Sequence, residues 1–489
     1  MRILCLALAA SLTACAVGPD YRRPSLPEGV SAPAFKEGDD YWKAAAPGSV
    51  DAGQPWWTAF GDSRLNDLVD EANRANQDVR AAEAQYREAQ ALVQNARSAL
   101  FPTLQANATV SRGQSQTVLG PKLGDSHAWS LQAAWEADLW GRARRGIEGA
   151  SDSAQASEAD LAAARLAIQA EVVSDYILLR VADTQQQLYA RTVEAYQKSL
   201  QITQSQYRVG VATRADVELA NTTLQSTQAQ AIDIEIARRQ AEHAIAVLMG
   251  RTPAGFSIAP DRFALTLPQV PAMVPSELLE RRPDISAAER RVASANAGIG
   301  VAQAARYPTL ALTAAGGYGG SGFGPWFSTP DRVWALGAAL AATIFDGGLR
   351  ASQVEQARAV FDASAATYRK TVLAGFQEVE DNLAALSLLA QERGVQEGAV
   401  RSARNAERVT LSQYRAGTAP YLAVITAQAL ALNNERTALQ LQGRQYAASV
   451  ALTKAVGGGW DASQLQARSG ASPMATSAAA SGPVASTNE

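Results

Sequence analysis

Two cysteines and two histidines are all that this 489-residue chain carries of either residue. Cys5 lies in an opening apolar stretch, so removal of that stretch leaves Cys15 alone and excludes an internal disulfide. His127 and His243 are too few for a zinc site of the usual nitrogen and sulfur ligands, and each reads as a surface or packing residue. A net charge of −3, close to neutral, argues against a nucleic-acid partner. No phosphate loop, nucleophile elbow or zinc-spaced cluster occurs, so neither an enzyme nor a cofactor is expected. Proline is missing from about Arg145 to Arg208, where glycine is also scarce. That absence favours one long helix.

The opening residues have the order of an export signal: Arg2, an apolar run from Ile3 to Ala10, then Leu12-Thr13-Ala14-Cys15. The run is far too short to span a bilayer as a helix. Leu-Thr-Ala-Cys resembles the bacterial lipobox, which implies a lipid on Cys15 as the new N-terminus. Ala16, in place of an aspartate, then implies sorting to the outer membrane. An ordinary secretory signal with an incidental cysteine is the alternative.

The second half of the chain repeats the first. Phe101-Pro102-Thr103-Leu104 returns as Tyr307-Pro308-Thr309-Leu310, 206 positions on. Ser205-Gln206-Tyr207-Arg208-Val209-Gly210 returns as Ser412-Gln413-Tyr414-Arg415-Ala416-Gly417, 207 positions on. One unit was duplicated, with a single inserted residue near Asp346.

After each proline the pattern switches to a period of two. Leu104, Ala106, Ala108 and Val110 alternate with Gln105, Asn107, Thr109 and Ser111; Trp129 to Leu139, Leu310 to Tyr318 and Trp334 to Ile344 alternate likewise. Arg112 to Asp125 reads as the loop between the first pair, and Trp129 and Trp334 as interfacial aromatics near strand starts. A one-sided sheet in a soluble protein and a set of membrane strands both fit this pattern. In lipid, four strands leave two open edges that a single chain cannot satisfy, since the smallest single-chain barrels have about eight strands. A membrane sheet therefore requires several copies.

The stretches from about Arg145 to Arg208 and Leu349 to Arg415 carry apolar residues at steps of three and four, and each would rise roughly 95–100 Å as a helix. Shorter helices are expected over about Asn76–Leu100, Thr213–Met249, Asp284–Arg306 and Tyr421–Val456. Gly210 and Gly417 suit a left-handed helix close, Thr213 and Asp216 an N-cap and its acidic partner, and Pro420 a helix start. Capping leaves the repeated tyrosine and arginine unexplained; they read as facing a partner or a pore.

Assembled in this order, the chain resembles the outer-membrane factor family, more narrowly the lipoprotein branch serving resistance-nodulation-division (RND) pumps. Gly18-Pro19-Asp20-Tyr21, Trp56-Trp57 with Phe60, Asp62, Leu65 and Leu68, Arg281-Arg282-Pro283-Asp284-Ile285, Ala305-Arg306-Tyr307-Pro308 and Phe345-Asp346-Gly347-Gly348 carry the likeness. The resemblance implies a mainly α protein with four transmembrane β-strands per chain in a shared trimeric twelve-stranded barrel, plus long periplasmic helices. It divides the chain into a signal (1–14), a lipidated and equatorial segment (15–75), a first repeat (76–250), a connector (251–283), a second repeat (284–457) and a disordered tail (458–489).

The implied role is the passive exit duct of a tripartite efflux system, a homotrimer partnered by a periplasmic adaptor and an inner-membrane RND transporter. Adaptor-docking tips carry over to Arg208, Val209, Gly210 and Val211 and to Arg415, Ala416, Gly417 and Thr418. A periplasmic gate carries over to Tyr207, Tyr414 and Asp216. Where some members place an arginine and acids, this chain has Ala419, Ala423 and Thr426, which implies closure by packing. Protein secretion or metal export through the same architecture, and a non-conducting coiled-coil lipoprotein, remain alternatives.

Overall fold

The computed structural model describes residues 16–26, 34–37, 55–118, 120–268, 278–321 and 332–463. The export signal, Cys15 and the tail from residue 464 lie outside the described residues. Helices α1 (Ser63–Ala75) and α2 (Gln77–Ser98) lead to strands β1 (Thr103–Thr117) and β2 (Gly120–Ala137), then to α3 (Arg142–Arg208) and α4 (Arg214–Leu248). The second repeat follows with α5 (Pro283–Ala304), β3 (Thr309–Ser321), β4 (Arg332–Ala341), α6 (Leu349–Arg415) and α7 (Tyr421–Ala455). The fold is thus mainly α, duplicated, with a small antiparallel sheet. An aspartate starts each long helix: Asp138 accepts from the backbone of Ala143 and Arg144, and Asp346 from Gly348 and Arg350. A carboxylate there satisfies orphan N–H groups and complements the helix dipole.

Two compact units cut across the repeats. One gathers residues 16–26, Ala81–Leu161 and Ala287–Leu373; the other gathers residues 34–37 and 55–80, Ala162–Ser286 and residues 374–463. In the second, Trp56, Trp57, Phe60, Leu65 and Leu68 are buried, which accounts for the aromatic motif there. Asp62 N-caps α1 through Arg64 and Leu65 and also accepts the Tyr176 hydroxyl at 2.6 Å. Arg282 is buried too, donating to Asp284, Glu378 and the Ala455 carbonyl. Its motif is a buried charge with every neighbour in place.

The sheet belongs to the first unit, in the order β1-β2-β3-β4, which leaves β1 and β4 as edges. Its register sorts the side chains by chemistry. Leu104 faces Ala133, which faces Ala314, which faces Leu336; Ala106, Leu131 and Gly316 continue the same face, as do Trp135, Leu312 and Ala338. The opposite face carries Gln105, Gln132 and Ala315, then Asn107, Ser130 and Gly317, then Ala134, Thr313 and Gly337. On the apolar face Leu104, Leu336 and Leu340 are each more than two-thirds exposed. Among the described residues, none covers them.

Two sequence expectations change here. The span Arg112–Asp125 is not a loop: β1 and β2 stay paired through it, Arg112 opposite Asp125 and Thr117 opposite Gly120. Strict apolar–polar alternation is lost there while the backbone ladder continues. Trp129 is consequently mid-strand in β2 rather than near its start. It still stands in an aromatic row, opposite Tyr318, with Trp334 of β4 opposite Gly316 two residues along β3. Past that row the apolar face turns charged, with Arg112 and Asp125 paired at 3.5 Å.

Candidate functional site

The two repeated Tyr-Arg-x-Gly turns end α3 and α6 in the same way. Gly210 and Gly417 have φ of 78° and 75°, the left-handed conformation that a side chain disfavours. The Gly210 N–H donates to the Tyr207 carbonyl at 3.0 Å and Val211 to Gln206 at 2.9 Å; Gly417 donates to Tyr414 at 3.0 Å and Thr418 to Gln413 at 2.9 Å. Both are Schellman closures, which satisfy the last carbonyls of each helix. Around both glycines the space is open, so the constraint is the backbone angle alone.

The restarts differ. Thr213 and Asp216 form a full capping box: the Thr213 hydroxyl accepts from the Asp216 N–H at 3.2 Å and the Asp216 carboxylate accepts from the Thr213 N–H at 2.8 Å. Pro420 is the N-cap of α7 and makes no side-chain cap bond, its fixed φ of −74° serving instead. Asp216 is therefore engaged in starting α4.

The equivalent tyrosines have diverged. Tyr207 is about half exposed, at 47%, among the exposed Arg208, Val209 and Val211. Tyr414 is buried, at 5%, and its hydroxyl donates to Thr203 Oγ1 of α3 at 3.1 Å. Thr203 in turn donates to the Ser199 carbonyl at 3.0 Å. The Tyr414 ring lies 5.2 Å from that of Tyr421, tilted by 52°, in a cluster with Ala220 and Val424. The Tyr421 hydroxyl stands 3.5 Å from Ser199 Oγ, and Gln206 Nε2 donates to the Tyr414 carbonyl at 3.3 Å. Burial raises the pKa of both phenols, partly offset for Tyr414 by the Thr203 bond, so each stays a protonated donor.

Of the residues singled out from sequence, Tyr414 lies in this packed lock, Asp216 in a cap, and Tyr207, Arg208, Val209, Gly210, Val211, Arg415, Ala416, Gly417 and Thr418 at the two turns. Arg208 donates to Ser205 Oγ at 3.0 Å, and Arg415, Ala416 and Thr418 are exposed. Sequence reasoning missed Thr203, Ser199 and the packing role of Tyr421. Thr203 returns as Thr410 at the repeat offset, a signal that was readable; Tyr421 stands where the first repeat has Arg214, so it left none.

A family model described as outer membrane efflux protein matches residues 68–251 and 274–458. Pyoverdine export outer membrane protein OpmQ of Pseudomonas aeruginosa is 32% identical over 431 residues, covering 86% of this chain and 90% of that protein. The probable efflux pump outer membrane protein TtgC of Pseudomonas putida is 30% identical over 455 residues, covering 92% and 93%. Among solved structures, the outer-membrane channel OprN superposes with a TM-score of 0.84 at 30% identity, over 91% of this chain and 100% of that one. The open state of the MtrE outer membrane channel of Neisseria gonorrhoeae superposes at 0.81 with 28% identity, over 92% and 99%.

Proposed function

Because this chain belongs to the outer membrane efflux protein family, we propose that it is the outer-membrane exit duct of a tripartite efflux pump. It works as a passive homotrimeric channel, passing drugs or other small molecules onward from an inner-membrane RND transporter and a periplasmic adaptor. The sorting of the sheet into one apolar and one polar face, with two unpaired edges, is the observation that carries the reading. An apolar face with exposed leucines fits lipid, a face of amides, hydroxyls and small residues fits a water-filled lumen, and the open edges need copies of the same chain to close. Three copies supply twelve strands.

The names of the relatives, which include a pyoverdine exporter and efflux-pump components, support the transport class. Lipidation of Cys15 would add an anchor at the same membrane. Energy and substrate choice belong to the partner pump; this chain offers a path and a gate rather than a reaction. The exposed first tip, with Val209 and Val211, suits adaptor docking, and the buried Tyr414 of the second suits closure by packing. Opening is then a shift between two arrangements of the tips, biased by adaptor contacts made only in the open one.

The native mass of protein extracted from bacterial outer membranes in mild detergent tests the assembly, and conductance of the same sample in a planar bilayer tests the duct. A conducting trimer is expected. A folded monomer, or a trimer that passes no ions under any condition, overturns the reading.

A further inference from the structure

The motif Gly18-Pro19-Asp20-Tyr21 has no part in the tips or the sheet, yet the first compact unit is organised around it. Residues 16–26 have no helix or strand of their own and run across three helices drawn from both repeats. At one end the Val17 N–H donates to the Trp140 carbonyl at 3.0 Å, three residues after β2. Trp140 stacks on Tyr307 at 4.9 Å and its indole donates to the Pro308 carbonyl at 2.7 Å, immediately before β3. Gly18, with φ of 114°, meets Gly300 of α5 backbone to backbone, where an added Cβ would stand 2.5 Å from the Gly300 Cα. Arg145 of α3, itself buried, pairs with Asp20 at 3.0 Å and reaches the Val17 and Gly18 carbonyls at 3.4 Å. Asn296 of α5 donates to the Pro19 carbonyl at 2.9 Å, and Arg369 of α6 to the Ser25 carbonyl at 3.0 Å.

The centre of these contacts is a buried charge. The Glu289 side chain is 6% exposed and accepts the Tyr21 hydroxyl at 2.6 Å on Oε1. Arg290 donates to its Oε2 through Nε and Nη2 at 2.8 and 2.5 Å, and Arg23 stands 3.7 Å from Oε1. The Arg290 guanidinium also lies 5.8 Å from the Tyr21 ring centroid. Two of the groups that satisfy Glu289 therefore come from the N-terminal segment. A carboxylate this buried is costly to strip of donors, so the segment is held by what its departure would leave behind.

We propose that residues 16–26 are a docking strap whose seat is the cleft of α3, α5 and α6, and that seating it fixes the N-terminus at the foot of the sheet. Anchoring of the N-terminus and seating of the sheet become one coupled event, because the strap ends on Trp140, which joins β2 to α3 and is itself tied to Tyr307 and Pro308 between α5 and β3. The inference rests on the reading of the sheet as a membrane element. Tyr21 suits the lock because burial and the Glu289 bond together push its phenol far above the usual range, keeping it a donor.

The test uses the full-length chain extracted in detergent. Trypsin cleavage after Arg22, which is exposed, reports how often the strap leaves its seat. Tyr21→Phe and Glu289→Gln should each speed that cleavage by about tenfold or more, as loss of one buried charge-assisted bond implies, while the double variant goes no further than the larger single. The heat resistance of the oligomer should fall with them while helix content holds. Asp20→Asn, at the exposed side of the seat, is the milder variant should Tyr21→Phe fail to accumulate, and its effect should have the same direction. Unchanged cleavage in these variants, multiplying effects in the double, or full heat resistance in Tyr21→Phe overturns the proposal. Acyl labelling of Cys15 and the oligomer mass are read separately: a missing label or a monomer with the expected cleavage pattern removes the anchor or the duct and leaves the strap.

Discussion

The Tyr414 hydroxyl donates to Thr203 Oγ1 at 3.1 Å, fastening the second repeat's turn to the long helix α3 of the first. The bond is buried, and the Thr203 hydroxyl donates in turn to the Ser199 carbonyl. Tyr414→Phe keeps the ring packing against Tyr421 and removes only this bond. A neutral buried hydrogen bond is worth about 1 kcal/mol net, enough to shift a balanced gate without unfolding it. Tyr414→Phe and Thr203→Val should both raise the open probability of the isolated duct in planar bilayers, and the double variant should match either single. An open probability equal to wild type in both would remove Tyr414 from the gate.

Gly210 and Gly417 offer a cleaner separation of backbone strain from contact. Nothing stands near the position of an added Cβ at either, so a substitution meets only the positive φ. Alanine should cost about 1 kcal/mol at each, and asparagine, which tolerates the left-handed region, less. If these closures also shape the adaptor surface, efflux should fall in the order wild type, Asn, Val while the oligomer mass stays constant. Transport that survives Gly417→Val and Gly210→Val unaltered would show that the tips do not dock a partner.

Much of this was legible from the residues alone, for reasons that differ by element. The strands showed because lipid-facing and lumen-facing positions demand opposite chemistry at every step, which writes a period of two into Leu104–Ser111. The tips showed because the duplication copied Tyr-Arg-x-Gly, and a left-handed close can hardly be built without glycine. The paired extension from Arg112 to Asp125 did not show, since its residues carry no clean period of two and the backbone ladder with the Arg112–Asp125 ion pair leaves no such pattern in the sequence. Nor did Tyr421: it has no repeat partner, and its value lies in contacts made by helices far apart in sequence. Gly18-Pro19-Asp20-Tyr21 could be seen as a motif, but the buried Glu289 that explains its tyrosine lies 268 residues away.

Asp175 on α3 gives a pH dependence with a definite sign. Burial, and then the charge of Glu171 one turn earlier, push its carboxyl from 3.8 up to about 6. The folded state thus holds this proton more tightly than the unfolded one. Stability from the protonated form is complete below the unfolded value near 3.8 and is lost as pH rises through about 6. Asp175→Asn should therefore raise the thermal midpoint at pH 7 and change it little at pH 4. Asp152, also pushed up to about 6, mainly by burial, adds a dependence of the same sign, so the comparison must be variant against wild type rather than the wild-type slope alone. A variant curve parallel to wild type across this window would mean that Asp175 is solvated in the assembled protein.

Ala314 and Ala315 are neighbours in β3 that the register assigns to opposite faces. Ala314 pairs with Ala133 and Leu336 in the apolar row, and Ala315 with Gln132 and Ala335 in the other. The same substitution, one residue apart, therefore tests which side meets lipid. A lysine on the lipid face near mid-bilayer costs about 2–4 kcal/mol, whereas a lysine in a water-filled lumen costs little and changes the field along the path. Ala314→Lys should deplete the protein from the outer-membrane fraction. Ala315→Lys should assemble normally, and the bilayer current should shift toward anion preference as three added charges enter the lumen. Equal tolerance at both positions would mean that neither face touches lipid, and the exposed leucines at 104, 336 and 340 would need a protein cover instead.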